Sequence, residues 1–336
     1  MMLIRRALIC LTALALTIAS AITSAQQPTQ APAAPTVGGQ VTPGRGAAPG
    51  AVIPGGIPGG GRGAPVVIGP PAPVPPQVAI PRPTPAELEQ TNAALRRLID
   101  NDKSKDQALL KKFQSLMLLQ PPRLNTAATF TQTTQRQGAR HEGFVATAKQ
   151  GNIDLLLHGD SITDWWVQGD ANKAMFDKYF GSMRTANFAV AGDTTQGVLW
   201  GLKNGEGQGF QPKAVMLMIG TNNMNANTAP EIAEGVGAIV MEMRKDLPNA
   251  KILLLAIFPR SVPGDPVRDR IAETNRIISK LDDQKNVFYM DIGAKFLDEK
   301  GVFLPESFRA DNLHPQAKGY EIWGEAVQAK LAELLK

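Results

Sequence analysis

From Ala139 onward the chain repeats one pattern: an amphipathic stretch of helical length, then a short run that is almost wholly apolar. The apolar runs are 153–158, 185–190, 214–219, 251–257 and 287–290. The stretches of helical periodicity are 139–150, 170–181, 195–203, 229–246, 267–282 and 317–335. A strand that is apolar on both sides belongs in a sheet covered on both faces. Strands alternating with helices and joined by right-handed crossovers give a three-layer α/β/α domain with a five-stranded parallel sheet.

That arrangement sends every strand-end turn to one edge of the sheet, where open α/β sheets bind ligands. The turns carry polar residues: Gly159-Asp160-Ser161, Ala191-Gly192-Asp193-Thr194-Thr195, Gly220-Thr221-Asn222-Asn223 and, past a loop after the last strand, Asp311-Asn312-Leu313-His314. Acyl transfer needs a nucleophile, a base, an acid that orients the base, and donors for the oxyanion. This edge holds one of each. Ser161 lies between a strand and a helix N-terminus, where backbone N–H groups favour developing negative charge. Gly-Asp-Ser is also an ordinary turn tripeptide, and Asp160 reads as a helix cap.

The chain has three histidines. Only His314 has an acid at triad spacing. His158 is expected to pack into the flank of the sheet, and His141 to sit at a helix start on the surface. Asp193 and Thr194 read as caps, Asn223 and Asn225 as loop residues. Trp165, Trp166 and Trp200 flank the turns. Contact with an acyl group or sugar and simple core packing are both open for them. Arg260 follows the fourth strand and borders the edge, as a ligand for an anionic or polyol group or as a solvated loop residue.

Together the blocks Gly159-Asp160-Ser161, Gly192, Gly220-Thr221-Asn222 and Asp311-x-x-His314 resemble those of the SGNH hydrolases, also called GDSL esterases/lipases. The wording Gly192-Asp193-Thr194-Thr195-Gln196-Gly197-Val198-Leu199-Trp200, with His314 through Gly319-Tyr320, is similar to the branch of platelet-activating-factor acetylhydrolase catalytic subunits and bacterial sugar O-acetylesterases. The resemblance covers about residues 139 to 336. It implies a flavodoxin-like sheet, Ser161 as nucleophile, His314 as base and Asp311 as its orienting acid. It also implies an oxyanion hole formed by the Ser161 and Gly192 N–H groups and the Asn222 side-chain amide. No metal or other cofactor is implied. His158 departs from the family, which has an apolar residue there.

The first part of the chain is built differently. Arg5-Arg6, the apolar run Ala7–Ile22 and the small residues ending at Ala25 form the pattern of a secretory signal, residues 1–25. Both general and twin-arginine export fit it. The one cysteine of the chain, Cys10, lies inside this segment, so a mature chain would have no thiol and no disulfide. Residues 26–83, rich in Pro, Gly and Ala, read as a disordered spacer. Thr84-Pro85-Ala86-Glu87 starts a helix. Residues 84–137 read as a helical hairpin followed by a polar loop, and the catalytic domain is expected over 138–336.

The net charge is +5 and the pI 9.3, without a dense Lys/Arg block, which argues against nucleic acid as partner. The expectation is therefore an exported, periplasmic or secreted serine esterase with no stable membrane insertion once the signal is cleaved. Its substrate is a small-molecule or carbohydrate ester with a short acyl group, most simply acetyl, because no long insertion builds an acyl tunnel. Oligomeric state is left open. The rival in the same chemistry is a lipid acylhydrolase or lysophospholipase. Rivals from other classes are a non-catalytic carbohydrate-binding or scaffold module and a flavodoxin-like nucleotide binder. The latter lacks a Gly-rich phosphate loop after the first strand.

Overall fold

The computed structural model describes residues 67–336. The expected signal, 1–25, and most of the expected spacer lie outside the described residues. Five parallel strands form the sheet: β1 (Leu155–Gly159), β2 (Thr185–Asn187), β3 (Ala214–Met218), β4 (Lys251–Leu255) and β5 (Val287–Met290), in the order β2-β1-β3-β4-β5. The reversal of order falls between β1 and β3, whose registers pair Leu155 with Ala214 and Gly159 with Met218. Doubly wound sheets place their ligand crevice at such a switch point.

Helices cover both faces. Before the sheet come α1 (Pro85–Asp100), α2 (Gln107–Lys112), α3 (Gln114–Met117) and α4 (Ala139–Gln150). Interleaved with the strands are α5 (Ser161–Asp164), α6 (Asp170–Phe180), α7 (Thr195–Gly201), α8 (Ala229–Asp246) and α9 (Pro266–Ile278), and α10 (Ala317–Leu334) closes the chain. The pleat of β1 sends Leu156 into one hydrophobic layer, with Val198, Val215, Leu217, Ile232 and Ile239. It sends Leu155 and Leu157 into the other, with Trp166, Phe180, Met216, Leu253 and Trp323. Apart from His158 of β1, the strand residues facing both layers are apolar, which is why the strands read as hydrophobic runs.

The spacer assignment needs correction at its end. Residues 69–82 form a strap packed on the domain. The Ala72 N–H donates to the Ala128 carbonyl at 2.8 Å, and the Phe130 N–H donates to that of Pro70 at 2.9 Å. Ala72 and Val78 are buried. The strap ends on α8, where the Ile80 N–H and the Arg82 guanidinium, through two 2.6 Å bonds, engage Glu234. A proline-rich chain cannot join a helix or central strand, but it can fill a groove. Gly237 supplies that groove, since a Cβ there would lie 2.6 Å from Val78 and 2.9 Å from Pro75.

The expected boundary at 138 also moves. Residues 125–136 belong with the domain: Asn125 bonds the Glu231 carbonyl and the Glu234 carboxylate, Ala127 to Thr129 are buried, and Arg136 is inaccessible to solvent. The hairpin itself packs thinly. Its second arm is split at Phe113 into α2 and α3, only Ile99 of α1 is buried, and Leu98, Leu109 and Leu116 are exposed. Among the described residues no helix is long and apolar enough to cross a membrane.

Candidate active site

Strand β1 delivers Ser161 to the first turn of α5. Asp160 caps that helix, accepting the Ile162 N–H at 3.1 Å. Ser161 is 4% exposed, and its Oγ lies 2.9 Å from His314 Nε2. His314 Nδ1 lies 2.7 Å from Asp311 Oδ2. The other oxygen of Asp311 accepts the N–H groups of Leu313 and His314, each at 3.0 Å. Three residues of spacing suffice because the chain reverses between them: Asn312 sits in the left-handed region at φ 51°, which Asn tolerates. The Ser261 N–H ties this turn to the loop after β4 by donating to the Asn312 carbonyl at 2.8 Å.

Burial alone would raise the Asp311 carboxyl. The three hydrogen bonds from His314 and Leu313 outweigh it and hold Asp311 below its usual range. It therefore stays an acceptor for the ring N–H at neutral pH. The His314 ring stacks on Trp165, with centroids 4.0 Å apart, and the Arg309 guanidinium lies 4.5 Å from the same indole.

Gly192 and Asn222 come from the turns after β2 and β3. Gly192 has φ 78°, a conformation strained for any L side chain. Its predecessor is anchored to α5, since the Ala191 N–H donates to Asp164 Oδ2 at 3.0 Å. Asn222 Nδ2 donates to the Asp193 carbonyl at 2.7 Å, which leaves its second amide hydrogen free of that bond. Asn223 bridges the same two turns, accepting the Thr195 N–H at 3.0 Å and donating to Gln196 at 3.0 Å. Among the described residues, neither the Ser161 nor the Gly192 N–H donates a hydrogen bond to the protein.

The remaining candidates lie elsewhere. Trp200 packs on His141, at 4.7 Å between centroids, rather than on His314. Arg260 is committed to its neighbours, with Nη1 donating to the Thr221 carbonyl at 3.0 Å. Burial holds its guanidinium below the usual value. Trp166 is core, with Phe180, Tyr320 and Trp323 around it. His158 is fully buried and neither ring nitrogen has a partner; burial and the Arg136 charge push it well below the ordinary imidazole range. It is a neutral core residue.

His141 differs from expectation: it is mostly buried, with Nδ1 2.7 Å from Glu206. Asp193 is more than a cap. Its Oδ2 meets Arg136 Nε at 2.6 Å, and its Oδ1 accepts from Thr133 and from the Thr194 N–H, each at 2.9 Å. Arg136 also binds Glu206 and the Phe188 carbonyl. Burial raises the Glu206 carboxyl despite the pull of Arg136 and His141. Sequence reasoning missed Arg136, Asp164 and Arg309. Only Asp164, one turn after the Ser161 block, offered a signal.

A family model described as the GDSL-like lipase/acylhydrolase family matches residues 157–322. The alpha2 subunit of platelet-activating factor acetylhydrolase IB from Rattus norvegicus is 34% identical over 201 residues, covering 60% of this chain and 85% of the relative. The alpha1 subunit from the same organism is 30% identical over 196 residues, covering 58% and 82%. The chain belongs to this family and is a carboxylic ester hydrolase with the SGNH hydrolase fold.

Solved structures similar to it include a GDSL-like lipase from Bacteroides thetaiotaomicron (TM-score 0.46, 15% identity, 57% of this chain and 97% of the other). Another is a mutant of an acetylxylan esterase from Geobacillus stearothermophilus (TM-score 0.43, 19% identity, 54% and 93%).

Proposed function

We propose that this protein is an exported serine esterase that removes short acyl groups, acetyl above all, from the oxygen of a carbohydrate alcohol through an acyl-enzyme. The carrying observation is the continuous chain from Ser161 Oγ to His314 Nε2 and from His314 Nδ1 to Asp311, at 2.9 and 2.7 Å.

In the first half-reaction His314 accepts the Ser161 proton as Oγ bonds to the ester carbonyl carbon. Negative charge moves to the carbonyl oxygen, where the Ser161 and Gly192 N–H groups and the Asn222 amide receive it. Asp311 stabilises the imidazolium. The C–O bond to the alcohol then breaks and His314 returns the proton to the departing oxygen. In the second half-reaction water takes the place of the alcohol, and the carboxylic acid and free Ser161 result. No metal or other cofactor enters this sequence.

The acetyl reading is supported by the printed name of the relatives, acetylhydrolases. The oxygen-rich alcohol is supported by a polar and charged groove of about 670 Å³, lined by Gln168, Asp170, Asn172, Glu306, Arg309, Gln316 and Lys318, which adjoins the site through the packing of Arg309 on Trp165. Export rests on the pattern of residues 1–25, and sequencing the N-terminus of the mature protein after expression in a bacterial host tests it.

The decisive experiment combines fluorophosphonate labelling with an ester panel. Ser161 is expected to carry the label, and p-nitrophenyl acetate is expected to turn over faster than the decanoate. Ser161→Ala should stay folded and lose about 10³-fold or more in kcat. Acetylated xylan should outperform acetylated short lipids. Faster turnover of the decanoate, or of the lipids, would move the assignment to a lipid acylhydrolase. Absence of labelling would favour a binding module.

A further inference from the structure

Arg309 is an exposed arginine placed beside the Ser161–His314 pair. Its guanidinium rests 4.5 Å from the Trp165 indole, the ring on which His314 also stacks at 4.0 Å. Its backbone is locked into the catalytic turn: the Arg309 N–H donates to the His314 carbonyl at 2.8 Å, and its own carbonyl accepts from the Asn312 N–H at 3.0 Å. Yet among the described residues its side chain makes no hydrogen bond and has no carboxylate within 4.0 Å. The other cation of the same groove, Lys318, is taken by Glu321 at 2.9 Å. Asp170 and Glu306 also line the groove, but neither pairs with Arg309.

The buried and half-buried arginines are engaged by the fold. Arg136, Arg244, Arg260 and Arg268 all donate to named carbonyls or carboxylates. A guanidinium held over an aromatic ring, with its donor fork unspent, can receive a planar or tetrahedral oxyanion through two parallel bonds. Its position says which part of a substrate it meets. The alcohol oxygen must come to His314 Nε2 to take its proton. Arg309 shares its indole with His314, and the alcohol is the part of the ester that this histidine serves.

We infer that Arg309 is a substrate-recognition residue for an anionic substituent, a carboxylate or a phosphate, carried by the alcohol part of the ester. The inference deepens the esterase assignment and rests on it. The preferred substrates are acyl esters of acidic alcohols, such as acetylated uronate sugars or acetylated polyol phosphates. The fork binds the anion while Ser161 takes the acyl group, and the released alcohol leaves carrying its charge.

The test compares matched esters: acetylated methyl glucuronoside against acetylated methyl glucoside, and 1-acetylglycerol 3-phosphate against 1-acetylglycerol. For the wild-type enzyme the anionic member of at least one pair should have a kcat/KM about 10-fold higher, in line with one charge-assisted pair. Added salt should shrink the ratio. Which pair shows it distinguishes a carboxylate from a phosphate partner. In Arg309→Gln the ratio should fall to about 1, and Arg309→Lys should recover part of it.

A wild-type ratio near 1 in both pairs overturns the inference. So does a ratio that Arg309→Gln leaves intact while lowering both members together, which would mark Arg309 as a support for Trp165 and His314 only. Calorimetry with free glucuronate and free glycerol 3-phosphate reads the same site without turnover. Binding of one of them that Arg309→Gln abolishes supports the inference, and binding of neither opposes it. Absence of Ser161 labelling or of p-nitrophenyl acetate hydrolysis sinks the esterase mechanism instead, so the two failures are separate.

Discussion

Arg136 and Asp193 meet inside the domain, Nε to Oδ2 at 2.6 Å, with both side chains wholly shielded from water. Arg136 comes from the segment before α4, and Asp193 follows directly on Gly192. The pair therefore fastens the segment before α4 to the turn that carries Gly192, the oxyanion donor proposed above. Removing one partner of a buried pair leaves an uncompensated charge, which typically costs about 3–5 kcal/mol. Arg136→Met strands both Asp193 and Glu206, so urea unfolding should show a loss at the upper end of that range. A chain started at Ala139 loses this pair together with the bonds of Ile80, Arg82 and Asn125 to Glu234, so it should lose more than the variant does. A loss under about 1 kcal/mol would mean that the pair does not hold that segment in place.

In the proposed mechanism Asp311 orients His314 through the ring N–H, and it stays ionised because the bonds it accepts depress its pKa. Asp311→Asn should preserve the turn, since Oδ1 can still accept from the Leu313 and His314 N–H groups, but it presents an amide hydrogen to Nδ1. That favours the wrong tautomer, and kcat should drop by about 10³-fold or more with KM little changed. The pH profile of the wild-type enzyme should show no limb from Asp311 above its ordinary value of about 4. Activity within tenfold of the parent would remove Asp311 from the mechanism.

Much of this was readable from residues alone, for a definite reason. The strands are buried on both faces, so their apolar runs stand out, and α4 and α8 fall where periodicity puts them. The ends are less legible. The helix expected over 195–203 gives way after Gly201 to a π-type turn, Leu202–Glu206, where Gly205 takes φ 109°. Ser161, His314 and Asp311 were legible because spacing and strand ends constrain them together. Arg136 was not: a single arginine in a polar stretch has no periodicity, and its partners lie 57 and 70 residues away. The strap was hidden for the opposite reason. Its composition reads as unfolded, and only the groove at Gly237 makes burial of Val78 worthwhile.

Gly192 joins backbone conformation to chemistry. At φ 78° an alanine is strained, and its Cβ would stand 3.4 Å from the Gln135 side chain. Space is adequate, so the cost is conformational, and the turn should relieve it by rotating the N–H away from the oxyanion. Gly192→Ala should lower kcat by about 10- to 100-fold, with KM and labelling of Ser161 much less affected. Equal losses in kcat and in thermal stability would point to a folding role instead.

Two buried groups just before Ser161 should pull stability in opposite directions with pH. His158 is driven well below its ordinary value by burial and by Arg136. Below the unfolded value of about 6.5 the unfolded chain takes a proton that the native state refuses, so this group makes stability fall as pH falls. Asp160 is raised by burial to about 7. Between the unfolded value of about 4 and 7 the native state holds a proton that the unfolded chain has lost. This group therefore makes stability fall as pH rises through that window, and it contributes no slope above it. Each slope is at most about 1.4 kcal/mol per pH unit, and in the wild-type protein the two partly cancel. His158→Leu removes two unpartnered nitrogens and should keep activity, while its stability should decline from pH 5 to 7 and then level off. Asp160→Asn keeps the cap to Ile162 and should show the reverse, rising from pH 5 to 6.5 before a plateau. Urea titrations across pH 5 to 9 read both slopes directly. Curves parallel to the wild type in both variants would mean that neither group changes protonation on folding.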